Sequence, residues 1–313
     1  DSYITARGKT KNQDVAITDL EQEIKECASY KRPKKHSALA PFTPNFTKED
    51  YKKAIDKMIS YIIEGDIYIA NMTQQLTIES QKPPYEVYRY LRTHNPSPFG
   101  GFFQCNTFQV VCASPERFLK VKNRCIETRP IKGTRKRGEN PVEDKILKEE
   151  LKNSSKDRSE LLMIVDLERN DLNHVCEAGS VKVTEHFAVE TYSTVFHLVT
   201  TIIGKLKEKL PVSDLIKAAF PGGSITGAPK IRAMEIIDEL EHDRRNLYTG
   251  SMGYFSLDGN CDFNIIIRTA IHLDNQYHLG VGGGITCESD LEFEYEETLQ
   301  KAKALLEALW EEK

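Results

Sequence analysis

The sequence predicts an α+β fold with antiparallel sheets, and three observations lead there. Tyr51, Ala54, Ile55, Met58, Ile59 and Ile62 recur at helical spacing. Strand-like runs follow one another without a helix between them, first over 102–122 and again over 181–203. A chain of 313 residues with 39% apolar and 29% charged residues is long enough, and apolar enough, to bury a sizeable core.

Residues 1–46 are weakly patterned, with a basic, proline-containing stretch at 31–35, and read as an N-terminal segment or linker. The body of the fold is expected over 47–313. Thr47 is a natural N-cap with Asp50 three residues on, and Gly65 ends that helix. Ile67 to Ala70 reads as a strand, and 85–91 as a short helix. Val110 and Val111 are expected core within the strands of 102–112. Ser114 to Leu119 opens another strand, which a turn at Asn123-Arg124 can fold into a hairpin. The span 140–167 is helical and highly charged, and Glu168-Arg169-Asn170-Asp171 reads as a polar turn. Strands are expected at 181–189 and 195–203, a helix at 230–240, strands at 250–255 and 264–269, and a final helix through Glu294, Glu297 and Lys301.

Several residues stand out chemically. In Thr128-Arg129-Pro130-Ile131-Lys132-Gly133-Thr134, Pro130 fixes its own φ and Gly133 permits an unusual one, so the stretch reads as a rigid loop aiming one lysine. A surface lysine in a basic loop is the competing reading, since Arg135, Lys136 and Arg137 follow. Glu116 is either an ordinary exposed carboxylate or a neighbour of Lys132 across the hairpin. His197, among apolar residues, is a hydrogen-bonded core histidine or a member of a site. Asp157 with Glu160, and Glu294 with Glu297, are spaced i, i+3 and share helix faces, either as solvated pairs or as ligands. Pro221 to Pro229 is a small-residue entry to a helix that could leave N–H groups free for an anion. It is not a nucleotide P-loop, because Ala-Pro-Lys follows Gly227 where that motif needs Lys and Ser or Thr. Gly282-Gly283-Gly284 is read as an exposed-backbone element able to bind a carboxylate.

Composition narrows the function. A net charge of −4 argues against a nucleic-acid surface. No apolar run reaches the roughly 18–20 residues of a membrane-spanning helix. The polar start, Asp1 to Asn12, is no signal peptide and has no initiator Met, which suggests a processed or trimmed chain. Cys27, Cys105, Cys112, Cys125, Cys176, Cys261 and Cys287 are odd in number and scattered. They are read as buried free thiols of a reducing, cytoplasmic compartment.

Taken together, the chain resembles the chorismate-utilising enzymes. The matching stretches are SPERF at 114–118, TRPIKGT at 128–134, ELLMIVDLERNDL at 160–172, PGGSITGAPKIRAMEIIDELE at 221–241, GSMGYFS at 250–256, IIIRTA at 265–270, GGGIT at 282–286 and EYEETLQKAKALL at 294–306. They run from about Phe42 to the C-terminus. The resemblance implies a single-domain α/β sandwich of two face-to-face antiparallel sheets with outer helices. It also implies a chain lacking on the order of a hundred N-terminal residues, within the few hundred of one large domain. Members that make anthranilate or isochorismate carry alanine where this chain has Lys132. The lysine is similar to the aminodeoxychorismate synthase component I branch, which leads to p-aminobenzoate and folate. Gln75 and Asn173 depart from the arginine and glycine common in relatives.

From that resemblance follow the expected roles. Lys132 is the nucleophile that adds to the chorismate ring, and Glu116 is the general acid for the departing hydroxyl. Thr134, His197, Ser224, Gly227, Ala228, Tyr254, Arg268, Gly282, Gly283, Gly284 and Lys301 contact substrate, with Arg268 and Tyr254 on the enolpyruvyl carboxylate. Glu160 and Glu297 bind Mg2+, with Asp157 and Glu294 direct or through water. Ammonia then displaces the lysine. No cysteine sits in a glutaminase-like context, so a glutamine amidotransferase partner is implied. The alternatives are anthranilate or isochorismate synthase, or a non-catalytic subunit that binds an amidotransferase.

Overall fold

A computed structural model describes residues 11–26, 31–192 and 195–311. The expected Cys27 thiol lies outside them. The chain divides into two compact units, Asp1–Lys34 and Lys35–Lys313. The first carries a helix, α1 (Gln13–Glu26), with Asp14 in its first turn, Lys25 in its last and no buried residue. The second unit begins before the boundary expected at residue 47. Ala40 and Phe46 are buried, and β1 (Thr43–Pro44) joins a sheet.

The second unit is built on two antiparallel sheets with helices, as expected. The first sheet has β2 (Ile69–Glu79) and β14 (Gln276–Ile285) as its long members, followed by β13 (Thr269–Leu273), β4 (Gln109–Cys112) and β3 (Gly101–Gln104). β1 and β10 (Gly227–Ala228) also pair with β2. Alternation sorts the two faces of β2. Ala70 and Met72 pack on α2 (Lys48–Glu64) and α7 (Lys230–Leu240), whereas Leu76 and Ile78 pack on α3 (Pro84–His94) and α8 (Leu291–Leu309). Asn71, Thr73, Gln75 and Thr77 take the other face. Thr47 caps α2 by accepting from the Asp50 N–H, and Gly65 closes it at φ 88°.

The second sheet runs β11 (Gly253–Phe255), β12 (Cys261–Asn264), β5 (Arg117–Lys122), β6 (Cys125–Arg129) and β9 (Val195–Lys205), with β7 (Ile131–Lys136) and β8 (Lys182–Thr191) also on β9. The β5–β6 hairpin turns at Asn123 and Arg124, both at positive φ. Leu198 and Ile202 pack with Leu161, Val165 and Leu172 of α5 (Ser155–Val175), next to α4 (Pro141–Asn153) and α6 (Val212–Ala219).

Several local expectations change. The lysine stretch is strand, not loop. β6 and β7 pair with successive parts of β9, interrupted at Pro130, which has no N–H to give but whose carbonyl accepts from Thr200. The register then shifts between Lys132 and Thr134, so Gly133, at φ 76°, is the extra residue of a bulge. A Cβ there would lie 2.8 Å from Asp157 Cγ. The polar turn expected at 168–171 is helix. α5 continues because Leu172 and Val175 are buried and Asp171 finds a cation in Lys230. Residues 265–268 are not strand but a crossing between the sheets, with Arg268 at φ 50°. Among the described cysteines all are free, yet Cys125 and Cys287 are exposed and Cys105 only half-buried.

Candidate active site

A cavity of about 630 Å³ opens where both sheets, α5 and α8 converge. Lys132 enters it from the bulged β7. Its Nζ donates to the Ser224 carbonyl at 3.3 Å. It lies against Gly284 of β14, where a Cβ would be 3.2 Å from Nζ and 3.9 Å from Glu160 Oε2. Glycine at 284 therefore keeps room for the amine.

Glu116 is buried, 5% exposed, at the start of β5. It accepts from the Ile131 N–H at 3.4 Å. Burial pushes its carboxyl above the usual range, against the pull of a Ser224 hydrogen bond and the Lys132 charge. The exposed-carboxylate reading is excluded, and a buried carboxyl of raised proton affinity faces the lysine. Thr134 and His197 share a 3.0 Å hydrogen bond at Nδ1. Burial, helped by Arg268, pushes His197 down to about 4, so it is a neutral, polar wall at neutral pH.

The acids of the two helices meet across the cavity. Glu294 is 3% exposed and accepts from Ser289 Oγ at 2.7 Å. Glu297 Oε2 pairs with Lys301 Nζ at 2.8 Å, and Lys301 also donates to the Gly282 carbonyl at 3.0 Å. Burial raises Glu160 and Glu294, and the Glu297 charge raises both further. This crowd of hard oxygen donors suits a divalent cation in chemistry. Asp157 is otherwise engaged, with Arg135 Nη2 at 3.1 Å from its Oδ2. Among the described residues no group of three or more His, Cys, Asp or Glu is gathered closely enough to hold a metal ion as it stands. Lys132, Lys156 and Lys301 supply the positive charge.

Gly282 to Gly284 are strand rather than a free loop, paired with Thr73, Met72 and Asn71 of β2. In an antiparallel ladder a residue's N–H and C=O point to the same side. The Gly282 carbonyl reaches Lys301, so the N–H groups of Gly282 and Gly284 face the cavity edge and that of Gly283 is spent on β2. Gly283 serves by absence: a Cβ would lie 2.7 Å from Glu297 Oε2. Gly227 and Ala228 do not line the cavity. They form β10 against β2, where a Cβ on Gly227 would strike the Ile69 carbonyl at 2.2 Å.

Tyr254 is displaced as well. It is 61% exposed on the edge strand β11 and does not line the cavity. Tyr248 lines it instead, packed against Gly280 and electrostatically coupled to Arg268. No periodicity marks Tyr248, which sits in a turn before Thr249-Gly250, so the sequence offered only its nearness to GSMGYFS. Glu168 was also missed. Its carboxyl accepts from Thr128 Oγ1 at 2.9 Å and is pushed up to about 8 by burial and by the Glu116 charge. Among the described residues no helix is long and apolar enough to cross a membrane.

A family model described as chorismate binding enzyme matches residues 1–307. Aminodeoxychorismate synthase component 1 of Bacillus subtilis is 42% identical over 300 residues, 95% of this chain and 63% of the relative. Anthranilate synthase component 1 of Aquifex aeolicus is 44% identical over 265 residues, 85% of this chain and 54% of the relative. The crystal structure of anthranilate synthase component I from Streptococcus pneumoniae superposes with a TM-score of 0.83 at 33% identity, covering 94% of this chain and 66% of that one. The chain thus spans somewhat over half the length of the curated relatives it matches. With that match over nearly the whole sequence, the chain belongs to the chorismate binding enzyme family.

Proposed function

We propose that this chain is the chorismate-aminating component of an aminodeoxychorismate synthase, converting chorismate and ammonia to 4-amino-4-deoxychorismate. The observation that carries the reading is the Lys132 amine, held at the Ser224 carbonyl beside Gly284 and coupled to a buried Glu116 whose proton affinity burial raises. Lys132, once its ammonium proton has passed to solvent, attacks C2 of the ring as the free amine. The new C–N bond forms at C2 as both ring double bonds shift and the C4–oxygen bond breaks. Glu116 delivers its proton to the departing hydroxyl, which leaves as water. Ammonia then attacks C4, both double bonds shift back, Lys132 departs as the free amine, and Glu116 recovers its proton from the new C4 ammonium group.

Arg268 and Tyr248 suit the enolpyruvyl carboxylate, because a guanidinium fork matches a planar carboxylate. The ring carboxylate falls to the Gly282 and Gly284 N–H groups and Lys301. Thr134 and neutral His197 hold the hydroxyl-bearing edge without competing for the proton. Glu160, Glu294 and Glu297 are the residues that would hold Mg2+, with Asp157 kept in place by Arg135. A divalent ion held there would supply positive charge against the ring carboxylate and against the mutual repulsion of these acids. A glutamine amidotransferase subunit supplies ammonia, in keeping with the "component 1" names of the relatives.

Incubation with chorismate, ammonium and Mg2+, followed by product identification, tests the reading. 4-Amino-4-deoxychorismate is expected. Anthranilate or isochorismate as the product would assign a sister activity, and no turnover would leave a binding subunit.

A further inference from the structure

The segment from Pro221 to Pro229 was expected to offer free N–H groups. Its carbonyls carry the more informative contacts. Lys230, the first residue of α7, donates to Asp171 Oδ2 at 2.6 Å, to the Ala219 carbonyl at 3.1 Å and to the Pro221 carbonyl at 2.8 Å. All three ammonium donors are used. The side chains of Lys230 and Asp171 are each 12% exposed. Such a desolvated pair gives little net stability by itself, because desolvation offsets most of the attraction. Its value lies in where it puts the chain.

Two carbonyls ahead of Ser224 are gripped by Lys230. The carbonyl after it, on Ile225, accepts from Arg245 Nη1 at 2.7 Å, and Arg245 is itself paired with Glu241. Thr226 Oγ1 ties back to the Gly222 carbonyl at 2.9 Å. Between these anchors the Ser224 carbonyl is left for Lys132 and its side chain for Glu116. We propose that the Lys230–Asp171 pair is a positioning device for the reaction, fixing the backbone so that Ser224 holds the nucleophile and the general acid in register. This rests on the roles given to Lys132 and Glu116 above. Lys230 touches neither group and acts only through the segment.

The groups facing Glu116 are Ser224, the Ile131 N–H, Lys132, Lys301 and, from α5, Glu168. The Ser224 hydrogen bond favours the ionised form of Glu116. Loosening the segment therefore moves the basic limb of kcat/KM to higher pH. Lys230→Met and Asp171→Asn are compared with the intact chain for kcat, KM, pH profile and amide hydrogen exchange over 219–229. Lys230→Met is expected to lower kcat by roughly tenfold or more, since small misplacements are costly in a preorganised site. KM should change far less, the basic limb should rise, and exchange over 219–229 should quicken. Asp171→Asn, which leaves both carbonyl bonds in place, should show the same shifts more weakly. Folded variants with only a lowered Tm, and with kcat and pH profile unchanged, would overturn the proposal. If Lys230→Met does not fold, Asp171→Asn decides by the same criteria. An intact chain that turns over no chorismate would instead sink the proposed function, and the exchange measurement would still report on the clamp.

Discussion

Glu116 and Glu297 are carboxylates of one cavity, and their surroundings push them in opposite directions. Burial dominates at Glu116, and the Ser224 hydrogen bond and the Lys132 charge only partly offset it, so its affinity for a proton is raised. Burial also pushes Glu297 up, but Lys301 in contact, with Lys132 and Lys156 nearby, overrides it and the net shift is downward. The difference comes from strand and helix placement. Glu116 sits at a sheet crossing with backbone around it, whereas Glu297 sits one helical turn from its own lysine on α8. Two carboxyls separated in this way are suited to acid work and to ligand work at the same pH.

The sharpest way to break the comparison is Glu116→Gln. Loss of a general acid should cost on the order of 10²–10⁴ in kcat, and the basic limb of the pH profile should vanish. A retained basic limb would mean that the acid lies elsewhere. Next in size is Lys301→Met. Without its cation Glu297 moves upward, so activity is lost on the acid side at higher pH than in the intact chain. Turnover near neutrality should fall about tenfold, the worth of one charge-assisted hydrogen bond. An acid limb that stays in place would detach Glu297 from the chemistry.

A third test reads stability. Glu168 is raised from 4.5 to about 8, so the folded state holds its proton more tightly than the unfolded one. Its contribution is complete below the unfolded pKa and is lost as pH rises toward 8. Glu168→Gln should therefore flatten the decline of Tm between those limits, and parallel curves for both proteins would contradict it. The smallest effect expected is that of Thr47→Ala. Losing this cap of α2 should lower stability by about 1 kcal/mol in denaturant unfolding. It should leave both pH limbs where they are, which sets a baseline for remote damage.

How legible this was depends on the kind of signal. The capped helix from Thr47 to Gly65, the hairpin at Asn123-Arg124 and the helix at 230–240 follow from local periodicity and turn chemistry, and they are where the sequence placed them. Glu168 to Asp171 misled because four polar residues in a row look like a turn. Burial of Leu172 and Val175 and the tertiary partners Thr128 and Lys230 make helix there acceptable. Arg268 lay in an apolar run that reads as strand, yet the chain must turn there to pass between sheets. Tyr254 and Tyr248 could not be ranked from sequence, since burial alone separates them. The glycine triplet was singled out as exposed backbone, whereas it is strand, and its missing side chains make room for Lys132 and Glu297.

The central claim is that the Lys132 amine becomes covalently attached to the substrate ring. Intact-mass measurement after mixing the chain with chorismate and Mg2+, without ammonia, tests it most directly. The account predicts a species heavier by chorismate less one water, mapped to Lys132, absent from Lys132→Ala and discharged on adding ammonium. Product formation on adding ammonium, with no adduct ever detectable in the intact chain, would contradict it.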